Sequence, residues 1–290
     1  MRIGRFEDRD GTRFWGALSE DRSTVRRLEE PLGSWAPKLA QVDDLAGVDV
    51  GRESRIADLR VLAPLEPGAR IFGTGVNYPT HLEDAGEPGR KPPPTMPGYI
   101  KLDSTVVDPG GVIRYPATTS QLDYEIEIVM VVAQPLAGGA PRTASLLGYT
   151  IGNDVSPRDV GRPTGGVDLY SMKAQDQTAP IGPWVATLAE VGGPGQPSFD
   201  FSLKVNGELR QHDNTANMIW NLEQILQFFD ERNRLRAGDL IFTGTTGGTG
   251  MRTDRYLEAG DRLELEAEAI GSLFNVVGDK EAADERWPVP

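Results

Sequence analysis

The chain contains no cysteine. That excludes a disulfide framework, a thiolate metal centre and a cysteine nucleophile. Histidine is almost as scarce: His81 and His212 are the only two, so a centre built from several imidazoles is excluded as well. No run approaches the roughly 18 to 20 apolar residues that a membrane-spanning helix needs. The opening MRIGRFEDRDGTRFWG has no apolar core of the kind a signal peptide carries, so a cytoplasmic protein is expected. Positive charge is also short. Thirty Lys and Arg face 43 Asp and Glu, a formal net charge of −13, which makes nucleic acid or an anionic membrane a poor partner.

What remains is an ordinary globular composition, 38% hydrophobic and 25% charged over 290 residues. That length holds one large domain, or one domain and a small companion. Residues 1–66 read as the small N-terminal α/β part. Short strands at Arg2–Phe6 and Thr12–Leu18 flank the turn at Asp8–Gly11, and a helix is expected over Trp35–Leu45. Proline and glycine punctuate Ala63–Gly68, and a main domain over 67–290 follows. The proline-rich segment Ala85–Gly98 cannot be regular structure. It reads as a surface loop or as a lid beside a site.

From Tyr99 onward strand signals dominate, at Tyr99–Leu102, Tyr124–Val132, Leu147–Ile151, Trp184–Thr187, Phe201–Val205, Leu240–Thr243 and Leu263–Ala269. Asn206-Gly207 marks a tight hairpin. One helix is expected over Asn217–Glu231, where Met218, Ile219, Leu222, Ile225, Leu226 and Phe229 share a face, with Asn214 or Thr215 as its cap. The fold class is therefore α+β and β-rich, with a sandwich or barrel-like main body.

One strand departs from the ordinary pattern. Side chains alternate faces, so Glu125, Glu127, Val129 and Val131 share a side opposite Tyr124, Ile126, Ile128 and Met130. Both sides are apolar further along, which places the strand centrally. Two carboxylates about 7 Å apart there repel each other and lose hydration, so they need a cation or a proton. The strand Leu263–Ala269 also alternates glutamate, at 264, 266 and 268, but as one solvated face. For Glu125 and Glu127 two readings stand: a hard divalent ion shared with Asp154 at the end of the next strand, or salt bridges to Arg and Lys.

The motifs Asp123-Tyr-Glu-Ile-Glu127, Gly152-Asn-Asp-Val-Ser-Pro-Arg-Asp159, Lys173-Ala-Gln-Asp176, Pro180-Ile-Gly-Pro-Trp184 and Thr243-Gly-Thr245 run in order along the chain. With the upstream Asn77-Tyr-Pro-Thr-His81 they resemble the fumarylacetoacetate hydrolase family, from about residue 70 to about residue 275. The first 65 residues are similar, more weakly, to the small N-terminal domain of its longer members. The resemblance implies a mixed β-sandwich or β-roll catalytic domain of that family's type, assembled as a homodimer. It implies Mg²⁺ or Mn²⁺ held by Glu125, Glu127 and Asp154, and a 2-oxo acid or 1,3-dicarbonyl acid as substrate. Members hydrolyse carbon–carbon bonds, decarboxylate, isomerise or hydrate.

Two positions depart from the family pattern. The glutamate often found three residues after the histidine is Asp84 here, preceded by Glu83, and Thr245-Thr-Gly-Gly-Thr249 replaces the commoner Thr-Pro-x-Gly. The expected chemistry is hydrolysis of a carbon–carbon bond in an acylpyruvate-like acid, with decarboxylation or keto–enol isomerisation as the alternative. Binding of a metabolite without turnover is a third reading. His81, paired with Asp84 or Glu83, is the expected base for water. Lys173 is the expected cation for the developing enolate or the substrate carboxylate, or else a salt-bridge partner of Glu125 or Asp176. Asp123 and Asp176 are expected to hold ligands and Lys173 in place. Arg158 is expected on a substrate carboxylate or on Asp159, and Tyr78 and Thr245 are candidate donors to substrate. The glycines at 244, 247, 248 and 250 form a tight loop rather than a nucleotide cradle, since no Gly-Lys-Ser/Thr follows. His212 is expected at the surface. Residues 84–98 and 160–172 are expected to shape the pocket for the substrate's tail.

Overall fold

The computed structural model describes residues 1–42, 44–84, 91–138, 140–160 and 167–282. The prolines of the expected lid and the middle of the 160–172 segment lie partly outside the described residues.

The strand Ile126–Val132 is buried along its whole length, as is its antiparallel neighbour Leu146–Asn153. β-branched and aliphatic runs buried on both faces belong at the middle of a sheet, and that is where they lie. On one side the sheet continues through Ala179–Thr187 to Arg2–Glu7, Arg13–Leu18, Thr24–Leu28 and Val50–Arg55. On the other side it passes to Leu240–Thr245, Ile71–Thr74 and the edge strand Gly98–Lys101. The first strand of the chain thus pairs directly with the main body, at Arg2 with Ala186 and Ile3 with Val185. The strands of residues 1–66 extend the same sheet.

A second, five-stranded sheet runs Glu208–Asn214, Asp200–Val205, Arg262–Ala267, Gly271–Lys280 and Val112–Tyr115. In Arg262–Ala267 the leucines point inward and Glu264 and Glu266 lie at the partly exposed face beside Lys204. The main core joins one face of the large sheet to this second sheet and to the helix Leu222–Asn233. A smaller core on the N-terminal side gathers Trp15, Leu28, Trp35 and Leu39 against Val131, Leu147 and Val185. The two indoles there lie 5.5 Å apart.

Two helices differ from expectation. The N-terminal one spans Leu32–Leu39, not Trp35–Leu45. Pro31, at φ −60° and ψ 151°, sets its start, and Pro37 inside it removes a backbone donor and keeps it short. The second begins at Leu222 rather than Asn217, with Asn221 and Gln224 forming a reciprocal capping box. Asn214 instead caps a single short turn at Thr215–Asn217. The cause is long-range. The Asn77 side chain accepts from Trp220 N at 2.7 Å and donates to Trp220 O and Thr243 O, while Asn77 O accepts from Ile219 N. Residues 218–220 are thereby held against another loop and cannot join the helix.

Candidate active site

The two central strands set the site by their register. Ile126 faces Asn153 and Glu127 faces Gly152, so the next residues outward, Glu125 and Asp154, meet at the strand ends. Asp154 N donates to Glu125 O at 2.8 Å, and Asn153 Oδ1 accepts from Glu125 N at 2.9 Å. Carboxylate oxygens of Glu125, Glu127 and Asp154 all lie within 4.8 Å of one another, and all three residues are buried. Three acids this close are unstable together without positive charge.

Cations supply most of it. Lys173, at the end of the short helix Leu169–Lys173, donates to Glu125 Oε2 at 2.5 Å, Asp154 Oδ2 at 2.6 Å and Ser156 Oγ at 2.7 Å. Burial works against its charge, but Asp154 and Glu125 outweigh that and push its pKa up. Arg158 donates from Nη2 to Glu125 Oε1 at 2.5 Å and from Nε to Asp123 Oδ2 at 2.8 Å. Lys101, on the edge strand, donates to Asp154 Oδ1 at 2.6 Å. Burial alone would raise Glu125 and Asp154, yet Arg158 and Lys173 hold the first carboxyl below its usual range, and Lys101 and Lys173 the second.

Glu127 is the exception. It accepts from Gly244 N at 2.6 Å, and among the described residues no cation lies within ion-pair distance of it. Burial, with Asp154 and Glu125 beside it, pushes its pKa well above the carboxylate range. Gly244 is fixed as glycine by φ +92° and by Asn77, whose Cβ would lie 2.6 Å from an added methyl. Four buried or nearly buried carboxylates, counting Asp123, thus face three cations. A cluster of hard oxygen donors with one uncompensated acid fits a hard divalent cation. The salt-bridge reading holds at the same time: Lys173 and Arg158 pair with Glu125.

His81 sits on the helix Pro79–Asp84, buried, with Nε2 3.8 Å from Glu125 Oε1. Its Nδ1 is buried and has no partner among the described residues. Burial, opposed by the Glu125 charge, lowers its pKa to about 4, so the ring is neutral at pH 7 and can take a proton.

Several expected partnerships are rearranged. Asp84 shares the helix face of His81 but accepts at Oδ2 from Gly248 N at 2.7 Å, Thr249 N at 3.0 Å and Thr249 Oγ1 at 3.1 Å, and pairs at Oδ1 with Arg252. It ties the His81 helix to the glycine loop rather than bonding to His81. Glu83, one residue earlier, is turned out to solvent. Asp176 is exposed and accepts from Ser104 Oγ at 2.6 Å, so Lys173 has Ser156, not Asp176, as its further partner. Asp159 binds Thr119 and Ser120 while Arg158 turns to Asp123 and Glu125. Asp123 also accepts from Gly250 N at 2.6 Å and Met251 N at 3.2 Å, fixing the far end of the same loop.

Thr245 is buried, donating to Ile126 O at 2.7 Å and accepting from Gln211 Nε2 at 3.0 Å. Tyr78 is buried against Phe201, and its hydroxyl has no partner among the described residues. Burial, then the charges of Asp213 and Glu127, raise its pKa well above that of a free phenol. His212 is exposed beside Asp200. Sequence reasoning did not single out Tyr99, Lys101, Ser156 or Gln211. A lysine within an apolar strand is the one local signal that pointed to any of them.

The Asp84 bonds carry a prediction. Asp84→Asn is expected to lower stability by about 1–3 kcal/mol, since two backbone donors and a hydroxyl lose their charged acceptor. Urea unfolding measures it. The pH profile of turnover is expected to stay put; a shifted profile with unchanged stability would return Asp84 to partnership with His81.

A family model, fumarylacetoacetate (FAA) hydrolase C-terminal, matches residues 70–278. The chain is 28% identical over 273 residues to maleylpyruvate hydrolase of Aquipseudomonas alcaligenes, covering 88% of this chain and 90% of that one. It is 29% identical over 229 residues to oxaloacetate tautomerase YisK of Bacillus subtilis, covering 77% and 74%. Among solved structures it is similar to a 5-carboxymethyl-2-hydroxymuconate delta-isomerase from Mycobacterium smegmatis, with TM-score 0.78 and 27% identity over 97% of this chain and all of that one.

Proposed function

The chain belongs to the fumarylacetoacetate hydrolase family, and we propose that within it the protein is a divalent-metal-dependent hydrolase that cleaves a carbon–carbon bond in an acylpyruvate-like 2,4-dioxo acid. The observation that carries this reading is a neutral, buried His81 whose Nδ1 has no partner among the described residues, set beside three clustered carboxylates. Glu125, Glu127 and Asp154 would hold Mg²⁺ or Mn²⁺. When bound, such an ion binds 2-oxo acid oxygens and stabilises negative charge that builds on them.

The chain's own groups do the rest. His81 accepts a proton from water at Nδ1, and the hydroxide adds to the distal carbonyl carbon of the substrate. The bond between that carbon and the methylene then breaks, and its electron pair stays with the 2-oxo acid fragment as an enolate. The proton on His81 then passes to the former methylene carbon of that enolate, giving a carboxylic acid and a 2-oxo acid. Lys173 and Arg158 keep Glu125 ionised throughout, and the field of Lys173 favours negative charge nearby. In this arrangement all three Lys173 protons point at protein acceptors, so its contribution is electrostatic rather than a free donor. The same reading takes the protein to be a cytoplasmic homodimer.

A second reading is keto–enol isomerisation or decarboxylation of a related 2-oxo dicarboxylic acid. Two observations favour it: Asp84 bonds to the loop and not to His81, and a tautomerase is among the similar proteins. The deciding experiment assays metal-free and Mg²⁺- or Mn²⁺-loaded protein on acylpyruvates and on oxaloacetate, following products by mass. Metal-dependent release of pyruvate and a carboxylic acid is expected. Carbon dioxide release, or enol consumption without cleavage, would move the assignment to the second reading. Metal binding with no turnover on either class would favour a binding protein.

A further inference from the structure

An edge strand has one side to fill, and aliphatic residues are the usual choice. The strand Gly98–Lys101 fills its inner side with Tyr99 and Lys101, while Gly98 and Ile100 face out. A buried ammonium is costly unless it is paired and hydrogen-bonded. Lys101 is 2% exposed, and its Nζ donates to Asp154 Oδ1 at 2.6 Å and to Lys173 O at 2.8 Å. The Tyr99 hydroxyl donates to Asp154 Oδ2. Its ring reaches there by crossing Gly73 on the neighbouring strand, where a methyl group would lie 2.3 Å from Tyr99 Cζ.

We propose that Tyr99 and Lys101 are positioning residues that hold Asp154 as a ligand able to offer a metal ion one lone pair only, and that Lys101 also fixes the backbone from which Lys173 projects. The proposal rests on the metal reading above. A carboxylate has about four lone-pair sites. Lys101 takes one on Oδ1, and Tyr99 and Lys173 take two on Oδ2. Among the described residues' bonds one site remains, so Asp154 is monodentate and its plane is set from both sides. Because Lys101 also bonds the Lys173 carbonyl, one side chain sets the spacing between a ligand and the principal cation of the site. Outer partners of this kind tune metal affinity through ligand orientation.

The test titrates Mn²⁺ into wild type, Lys101→Met and Tyr99→Phe, reading free and bound Mn²⁺ by electron paramagnetic resonance, with thermal melts of the metal-free proteins alongside. Coulomb's law alone says that removing a positive charge beside the site tightens cation binding. Positioning says the reverse. The expected result is binding weaker by roughly 10–100-fold in Lys101→Met, a smaller loss in Tyr99→Phe, and an altered spectrum of the bound ion in both. Equal or tighter binding with an unchanged spectrum in both variants overturns the proposal while leaving the metal reading intact. If wild type binds no Mn²⁺, the metal reading fails and the clamp with it. Should Lys101→Met fail to fold, Tyr99→Phe decides alone, because it removes only a hydroxyl.

Discussion

Glu127→Gln is expected to abolish metal-dependent turnover, weakening Mg²⁺ or Mn²⁺ binding by more than about 100-fold, while the metal-free protein melts higher than wild type. A direct ligand should cost more than the roughly 10–100-fold typical of outer partners, and an amide offers a hard cation much less than a carboxylate does. The rise in melting temperature follows from linkage. Burial, Asp154 and Glu125 raise the Glu127 pKa in the folded protein above its unfolded value. The folded state then binds more protons than the unfolded one, and stability falls as pH rises from about 4.5 through the folded pKa. Glutamine is neutral at every pH and its amide oxygen can still accept from Gly244 N, so that penalty disappears. Calorimetric metal titration and thermal melts of chelator-treated protein at pH 5 and pH 8 make the check. A variant that binds metal like wild type would remove Glu127 from the ligand set. Chelation of wild type should stop turnover as completely as the substitution, and added Mn²⁺ should restore it only in wild type.

The triad was legible in the sequence because its geometry follows from short-range rules. Alternation puts 125 and 127 on one side of a strand, and antiparallel pairing of adjacent strands puts the residue after Asn153 beside Glu125. The β-rich class was legible for the same reason. What was hidden depends on contacts between distant segments. Tyr99 and Lys101 reach Asp154 only because Ile71–Thr74 pairs in parallel with Leu240–Thr245 and carries the edge strand with it. No spacing in the sequence announces that pairing. Asn77 delays the helix by five residues through bonds to Trp220, which helical periodicity at Met218 and Ile219 cannot reveal.

Acidic neighbours misled for a related reason. Sequence proximity places Glu83, Asp84 and Asp176 near His81 and Lys173, but direction decides partnership. One step along a helix turns a side chain by about 100°, which sends Glu83 to solvent. Asp176 lies past the end of its helix, where the chain has already turned toward Ser104. Asp84 keeps the right face and still bonds to a loop about 164 residues away in sequence, whose backbone N–H groups at Gly248 and Thr249 donate to it.

His81→Ala is expected to lower carbon–carbon hydrolysis by about 10²–10⁴-fold, the usual contribution of a positioned general base, with metal affinity changed little. His81 is outside the carboxylate triad, and its Nε2 lies 3.8 Å from Glu125 Oε1. Two further measurements give the result its meaning. Decarboxylation or enolisation of oxaloacetate, which requires no water activated by His81, should survive in the variant far better than hydrolysis does. Loss of all activities in parallel would instead mark His81 as the proton carrier of an isomerase and favour the second reading. The pH profile supplies the other. A base whose pKa is lowered to about 4 by burial stays neutral down to that value. Wild-type hydrolysis with saturating metal should therefore keep its rate as the pH falls through 6.5, because burial lowers the His81 pKa and a cation held by Glu125 lowers it further. An acid limb centred near 6.5, the value of a solvated imidazole, would mean that the ring leaves its buried position before it reacts. His212→Ala, at an exposed site beside Asp200, should leave both rate and profile unchanged, which assigns any effect on them to His81.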